Sequence, residues 1–60
     1  MLLQIGDRVK LKNCADARKY GDEVFTVTSD PWLLAGVEAV KLESAVKKYP
    51  WFFTQFLEKA

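Results

Sequence analysis

Residues that could carry chemistry are sparse in these 60 residues. There is no histidine, so the commonest general base is missing. The hydroxyls of Ser29, Ser44, Thr26, Thr28 and Thr54 therefore have no imidazole to activate them. The one cysteine lies in Lys12-Asn13-Cys14-Ala15-Asp16. A single nearby lysine lowers a thiol pKa only modestly, and a free cysteine usually behaves as a small hydrophobe. No Cys/His cluster has zinc-ligand spacing. The acids Asp7, Asp16, Asp22, Glu23, Asp30, Glu38, Glu43 and Glu58 match no calcium loop, and Gly6, Gly21 and Gly36 form no phosphate-binding loop. The sequence predicts no catalytic residue, no metal site and no cofactor. The route to catalysis left open is a site assembled across a homo-oligomer.

Binding chemistry is better represented. Five of the eight aromatic residues fall between Tyr49 and Phe56. Adjacent Trp51 and Phe52 cannot both face a core from one strand, because successive side chains alternate. At least one large aromatic is therefore expected outside, together with Phe53 or Phe56. Contiguous apolar surface marks interfaces, whereas single exposed apolar residues are ordinary. Trp32, after Asp30-Pro31 in a loop, belongs to the same set, either as an anchor for a partner or as a cap on the end of the domain. A second feature is the basic stripe Arg8, Lys10 and Lys12, joined by Lys47 and Lys48. Cations beside aromatics suit single-stranded nucleic acid, by phosphate contact and base stacking. The alternative is a solvated strand face that guards an edge. Tyr20, in Arg18-Lys19-Tyr20-Gly21-Asp22-Glu23, is either a contact residue or a tyrosine packed on the rim.

Composition bounds the setting. Nine Lys plus Arg against eight Asp plus Glu give a formal net charge of +1, without the basic excess of a dedicated nucleic-acid protein. Half the residues are apolar, enough for one core, and residues 1–60 read as a single domain. The longest apolar stretch, Trp32 to Val37, is far too short to span a bilayer. Met1 to Asp7 has neither the basic start nor the long apolar run of a signal peptide. A lone cysteine forbids an internal disulfide, which fits a reducing, cytoplasmic setting.

Several short strands would position these groups. In Arg8-Val9-Lys10-Leu11-Lys12 the apolar and basic residues alternate with a period of two, as in a half-buried strand. Asn13 to Gly21 reads as a polar loop with room for a helical turn around Ala15 to Tyr20. Glu23 to Ser29 is β-branched and aromatic, with Phe25 and Val27 inward. Val37 to Glu43 is the next strand, with Val40 and Leu42 inward and Ala39 and Lys41 outward. Ser44 to Lys48 is a hairpin connection, with Lys47 and Lys48 near its tip. Tyr49 to Phe53 is an aromatic strand, and Pro50 implies an edge position or a strand start, because proline cannot donate to the ladder. Thr54 to Phe56 fits one helical turn, and Leu57 to Lys59 a last strand. A helix from residue 30 competes, since Ala35, Ala39, Leu42, Val46, Tyr49, Phe53 and Phe56 recur at spacings of four and three. Pro50 in its interior would cost ~3 kcal/mol, which favours strands.

Three stretches resemble SH3-like small barrels. Gly6-Asp7-Arg8-Val9-Lys10-Leu11 looks like the opening strand of bacterial SH3-like and KOW-type domains. Phe52-Phe53-Thr54-Gln55-Phe56-Leu57-Glu58 is similar to the SH3 closing segment. Phe25-Thr26-Val27-Thr28-Ser29-Asp30-Pro31-Trp32, with the later Val40-Lys41-Leu42, looks like small bacterial and phage members. The resemblance implies an all-β, SH3-like barrel of about five short antiparallel strands, with one helical turn near the C-terminus. It also implies that Phe52 and Leu57 are buried and that Phe53 and Phe56 lie on the ligand face. The opening strand further resembles that of the type II dihydrofolate reductases, which share one site among four chains. Their V-Q-I-Y stretch is replaced here by Lys48-Tyr49-Pro50-Trp51.

The expectation is a non-catalytic binding module that meets a protein, including a second copy of itself, through Tyr20, Trp32, Trp51, Phe53 and Phe56. The alternatives are nucleic-acid binding through Arg8, Lys10, Lys12, Lys47 and Lys48, and an enzyme with a site shared across an oligomer.

Overall fold

A computed structural model describes residues 3–60. Met1 and Leu2, part of the stretch read for a leader, lie outside the described residues. The elements run β1 (Arg8–Leu11), α1 (Ala15–Tyr20), β2 (Phe25–Val27), β3 (Trp32–Leu34), β4 (Val37–Glu43), β5 (Lys48–Phe53), a 3-10 turn (Thr54–Phe56) and β6 (Leu57–Lys59). Every strand pairing is antiparallel. The order is β3-β4-β2-β1-β6, with β5 also on β4. The seven-residue β4 organises this arrangement. One of its edges is divided between β3 and β2, and β5 lies along the other. Among the described residues the ladder does not close into a complete barrel.

The core follows from period-two alternation. Val9 and Leu11 of β1, Phe25 and Val27 of β2, Val40 and Leu42 of β4, Phe52 of β5 and Leu57 of β6 are all buried, together with Leu3. The strand at Val37–Glu43, the 3-10 turn and the last strand stand where the sequence places them, and the chain from residue 30 is not a long helix.

Several expectations need correction. Among the described residues there are six strands, close to the five or so expected, and the additional one is β3. Trp32 opens β3 rather than lying in a loop, because Ala35 (φ 53°) and Gly36 (φ 81°) supply the two left-handed residues of a tight hairpin into β4. A β-strand of three residues leaves too little alternation to be seen in sequence. Ala39 is not exposed; it is 0% accessible, because Trp32 and Phe53 flank it in register on the neighbouring strands. The strand expected over Glu23 to Ser29 is confined to Phe25–Val27. The basic stripe does not guard an edge, since β1 lies between β2 and β6.

β5 breaks its alternation once, and the break matters for the site. Val40 pairs with Phe52, but Leu42 pairs with Tyr49, so Pro50 and Trp51 together oppose Lys41. This is a bulge, and it lies on a strand whose other edge is unpaired, where a proline without an N–H is tolerated. The extra residue shifts Tyr49 onto the core face, so that Tyr49 and Phe52, three apart, both point inward. Tyr49 stacks between Phe25 (5.5 Å between centroids) and Phe52 (4.9 Å, edge to face). Trp51 and Phe53 are left on the outer face.

Candidate functional site: an aromatic cleft between α1 and β5

Along its free edge, β5 faces the start of α1 across an open cleft. Cys14, Ala15 and Asp16 form one wall. Trp51, Phe53 and Phe56 form the other, with Phe52 also in the lining. The space is about 290 Å³ and almost wholly apolar. A second shallow space, also about 290 Å³, extends it past Tyr49 and Pro50, and Asp16, Trp51 and Phe52 line both. The Trp51 and Phe53 rings lie 5.1 Å apart at 51°, a tilted pair. Trp51 is 47% exposed, a large aromatic held open to solvent. Phe56 is half-buried and rests on the core.

Local chemistry fixes the two walls relative to each other. α1 has six residues, with no side-chain cap at its start and no buried residue, so it has little stability of its own. It is tethered by Tyr49, whose hydroxyl donates a 2.8 Å hydrogen bond to Asp16 Oδ2. Burial, reinforced by that bond and by the carboxylate charge, raises the Tyr49 pKa well above its ordinary value of 10.0. The phenol is therefore a fixed donor rather than an acid. On the other wall, the 3-10 turn is pinned to β4 by the Thr54 hydroxyl, which donates to Glu38 Oε1 at 2.6 Å. The Lys12 N–H donates to the Phe56 carbonyl at 2.8 Å, fixing the end of that turn against the segment after β1. The cleft is thus held by three long-range bonds, none of which uses its aromatic faces.

The residues singled out in the sequence divide into groups. Trp51, Phe53 and Phe56 converge on the cleft. Trp32 does not line the cleft; it lies opposite the buried Ala39, which is in turn opposite Phe53. Tyr20 does not join them. It packs on the core near the end of α1 and borders a separate polar hollow of about 360 Å³, with Lys19 Nζ 5.4 Å from its ring centre. A larger hollow, about 550 Å³ over Asn13 to Arg18, is as much polar as apolar and gathers no aromatic residue.

Several of the basic residues are interleaved with acids across the strands. Lys10 lies opposite Glu58, and Arg8 lies opposite Thr26, which is itself opposite Glu43. Lys48 also lies opposite Glu43. Lys47, in the loop before β5, places its Nζ 5.3 Å from the Tyr49 ring centre. Sequence reasoning missed Cys14, Ala15 and Asp16 as a wall of the cleft. Asp16 and Tyr49 are 33 residues apart, and no local pattern announces such a pair.

A scan against protein-family models finds no match, and searches of curated proteins and of solved structures find none either.

Proposed function

We propose that this chain is a non-catalytic binding module of SH3-like type that takes an apolar segment of a protein partner into the cleft between α1 and β5. The observation that carries this reading is the convergence of Trp51, Phe53 and Phe56 on one open, apolar cleft, with Trp51 47% exposed. Desolvating an aromatic cluster of this kind is the usual source of hot-spot energy at interfaces. Its walls are braced by bonds that a ligand need not break, so little ordering cost falls on the module itself.

The basic face supports nucleic-acid binding less well, because Lys10, Arg8 and Lys48 have acidic residues opposite or nearby in the same cross-strand rows. The oligomeric-enzyme reading rests on the Gly6-Asp7-Arg8-Val9 resemblance alone. A reducing, cytoplasmic setting is supported by the lone Cys14. Among the described residues no helix is long and apolar enough to cross a membrane.

The test is a random peptide library displayed on phage and selected against the immobilised domain. Enriched sequences should be rich in apolar residues. Their binding should fall at least tenfold with Trp51→Ala and with Phe53→Ala, while both variants keep dispersed amide NMR spectra. Failure to enrich any sequence, or binding indifferent to both substitutions, would remove the basis for the reading.

A further inference from the structure

The cleft does not account for the β3–β4 hairpin. Its tip is Trp32-Leu33-Leu34-Ala35-Gly36-Val37, with no charged residue, and Leu33 is 71% exposed, more than any other large apolar residue described. Among the described residues three strands have an edge with no paired strand: β6, β5 and β3. Edge strands invite pairing with other chains unless charge, proline or a covering element prevents it. β6 carries Glu58 and Lys59. β5 carries Pro50 and is flanked by α1. β3 carries neither charge nor proline; Pro31 stands just outside it.

Hairpin geometry specifies what this edge offers. Leu34 and Val37 flank a two-residue turn, which makes them a hydrogen-bonded pair. The next pair, Leu33 with Glu38, is then a non-hydrogen-bonded one, so the Leu33 N–H and C=O point away from β4. No turn or loop hydrogen bond among the described residues uses them. An antiparallel strand centred on Leu33 would satisfy both.

The geometry points to a second copy of this chain as that strand. In a two-fold pairing of β3 with β3, Leu33 faces its own equivalent and exchanges both backbone bonds with it. Trp32 of each copy then lies opposite Leu34 of the other, an aromatic–aliphatic cross-strand pair. At the end of this pairing the Pro31 carbonyl can accept, while the Ala35 carbonyl, with no proline N–H opposite it, stays open to solvent. Electrostatics permit the pairing. The nearest like charges on that row, the two Glu38 carboxylates, are three strand spacings apart, about 14 Å, beyond the screening length of roughly 8 Å. The acids flanking the tip, Asp30 and Glu38, disfavour an anionic membrane as the alternative occupant. The area sets the strength. A standard interface buries about 800 Å² per partner, a fifth of this chain's 3985 Å² surface, and a three-residue edge supplies less. The dimer is therefore weak and concentration-dependent.

The full chain is to be followed by sedimentation equilibrium from about 10 µM to 1 mM, the range expected for so small a contact, alongside amide exchange at each concentration. The average mass should climb toward twice the chain mass, and exchange at the Leu33 amide should slow with it. Leu33→Lys should stay monomeric with a native NMR spectrum, since that side chain is exposed. Phe56→Ala, a cleft variant, should dimerise as the parent does. A parent chain monomeric at the highest concentration overturns the proposal. So does a Leu33→Lys variant that dimerises normally, or a dimer lost only in Phe56→Ala, which would move the contact to the cleft. Binding of the monomeric chain to phosphatidylcholine vesicles, with no dimer formed, would likewise overturn it and assign the tip to lipid.

Discussion

Tyr49 links the core, the cleft and the helix through one ring and one hydroxyl. Its ring packs between Phe25 and Phe52, and its hydroxyl holds Asp16. Tyr49→Phe keeps the packing and deletes the tether. The expected loss is about 1 kcal/mol, read as a fall of roughly 4–8 °C in Tm for a domain of this size. The same phenol sets an alkaline limit. Its pKa is raised in the folded state above the ordinary 10.0, so the folded protein holds the proton that the unfolded chain releases. The stabilisation is fully present below pH 10 and is lost progressively as pH rises through and above that value. Denaturant midpoints measured from pH 8 to beyond pH 10 should therefore decline more steeply for the parent than for Tyr49→Phe. Parallel declines would show that the phenol is not held as described. Asp16 is the residue that sequence could not supply here. An acid in a polar loop looks like any other solvated charge until the fold brings a tyrosine from the far end of the chain to meet it.

Among the elements, the two hairpins differ in how openly the sequence declares them. Ser44 to Lys47 closes the β4–β5 turn with several bonds to one serine: the Val46 and Lys47 N–H groups both donate to its Oγ, and its own N–H donates to the Lys47 carbonyl. A serine there, between two apolar runs, is a readable turn signal. The β3–β4 turn is Ala35-Gly36, and alanine hides it. An L-residue other than Gly, Asn or Asp pays roughly 1 kcal/mol or more in left-handed backbone, and Ala35 sits at φ 53°. Ala35→Asn should thus stabilise the domain by about 0.5–1 kcal/mol, creating the Asn-Gly pair that two-residue hairpins prefer. Gly36→Ala, with open space around the new methyl but φ at 81°, should cost about 1 kcal/mol through backbone strain alone. Thermal melts of both variants check the opposite signs. Had residue 35 been asparagine, β3 would have been legible. The same masking explains why Trp32 reads as a loop residue and Ala39 as exposed, since both errors follow from the missing strand. The β5 bulge, by contrast, was half legible: Pro50 announces an edge, while the shift that turns Tyr49 inward depends on pairing with β4, which no local pattern contains.

For the whole molecule, the inward alternation of β1, β2 and the second half of β4 was readable in advance. It supplies six of the buried residues, Val9, Leu11, Phe25, Val27, Val40 and Leu42. They recur with a period of two along their strands, and the core they form is the one the fold uses. What the sequence left open was how a single layer of such residues would be enclosed, because strand order and the division of β4 between two partners arise from non-local pairing. That layer is thin. A core in a chain of this size rarely supplies more than about 3–5 kcal/mol of net stability, and this chain has no disulfide to add to it. Phe25 is 0% exposed, opens β2 and stacks on Tyr49, which carries the tether to α1. Phe25→Ala should cost about 3–5 kcal/mol, as much as the whole fold is worth, so the variant should be unfolded at 25 °C by circular dichroism and NMR dispersion. Trp51→Ala, which removes a comparable ring from the open wall of the cleft, should stay folded. The contrast between these two variants separates the aromatics that build the domain from those it displays. If Trp51→Ala unfolded as well, the exposed ring would be part of the core's support, and the cleft would lose the residue that most marks it as a binding surface.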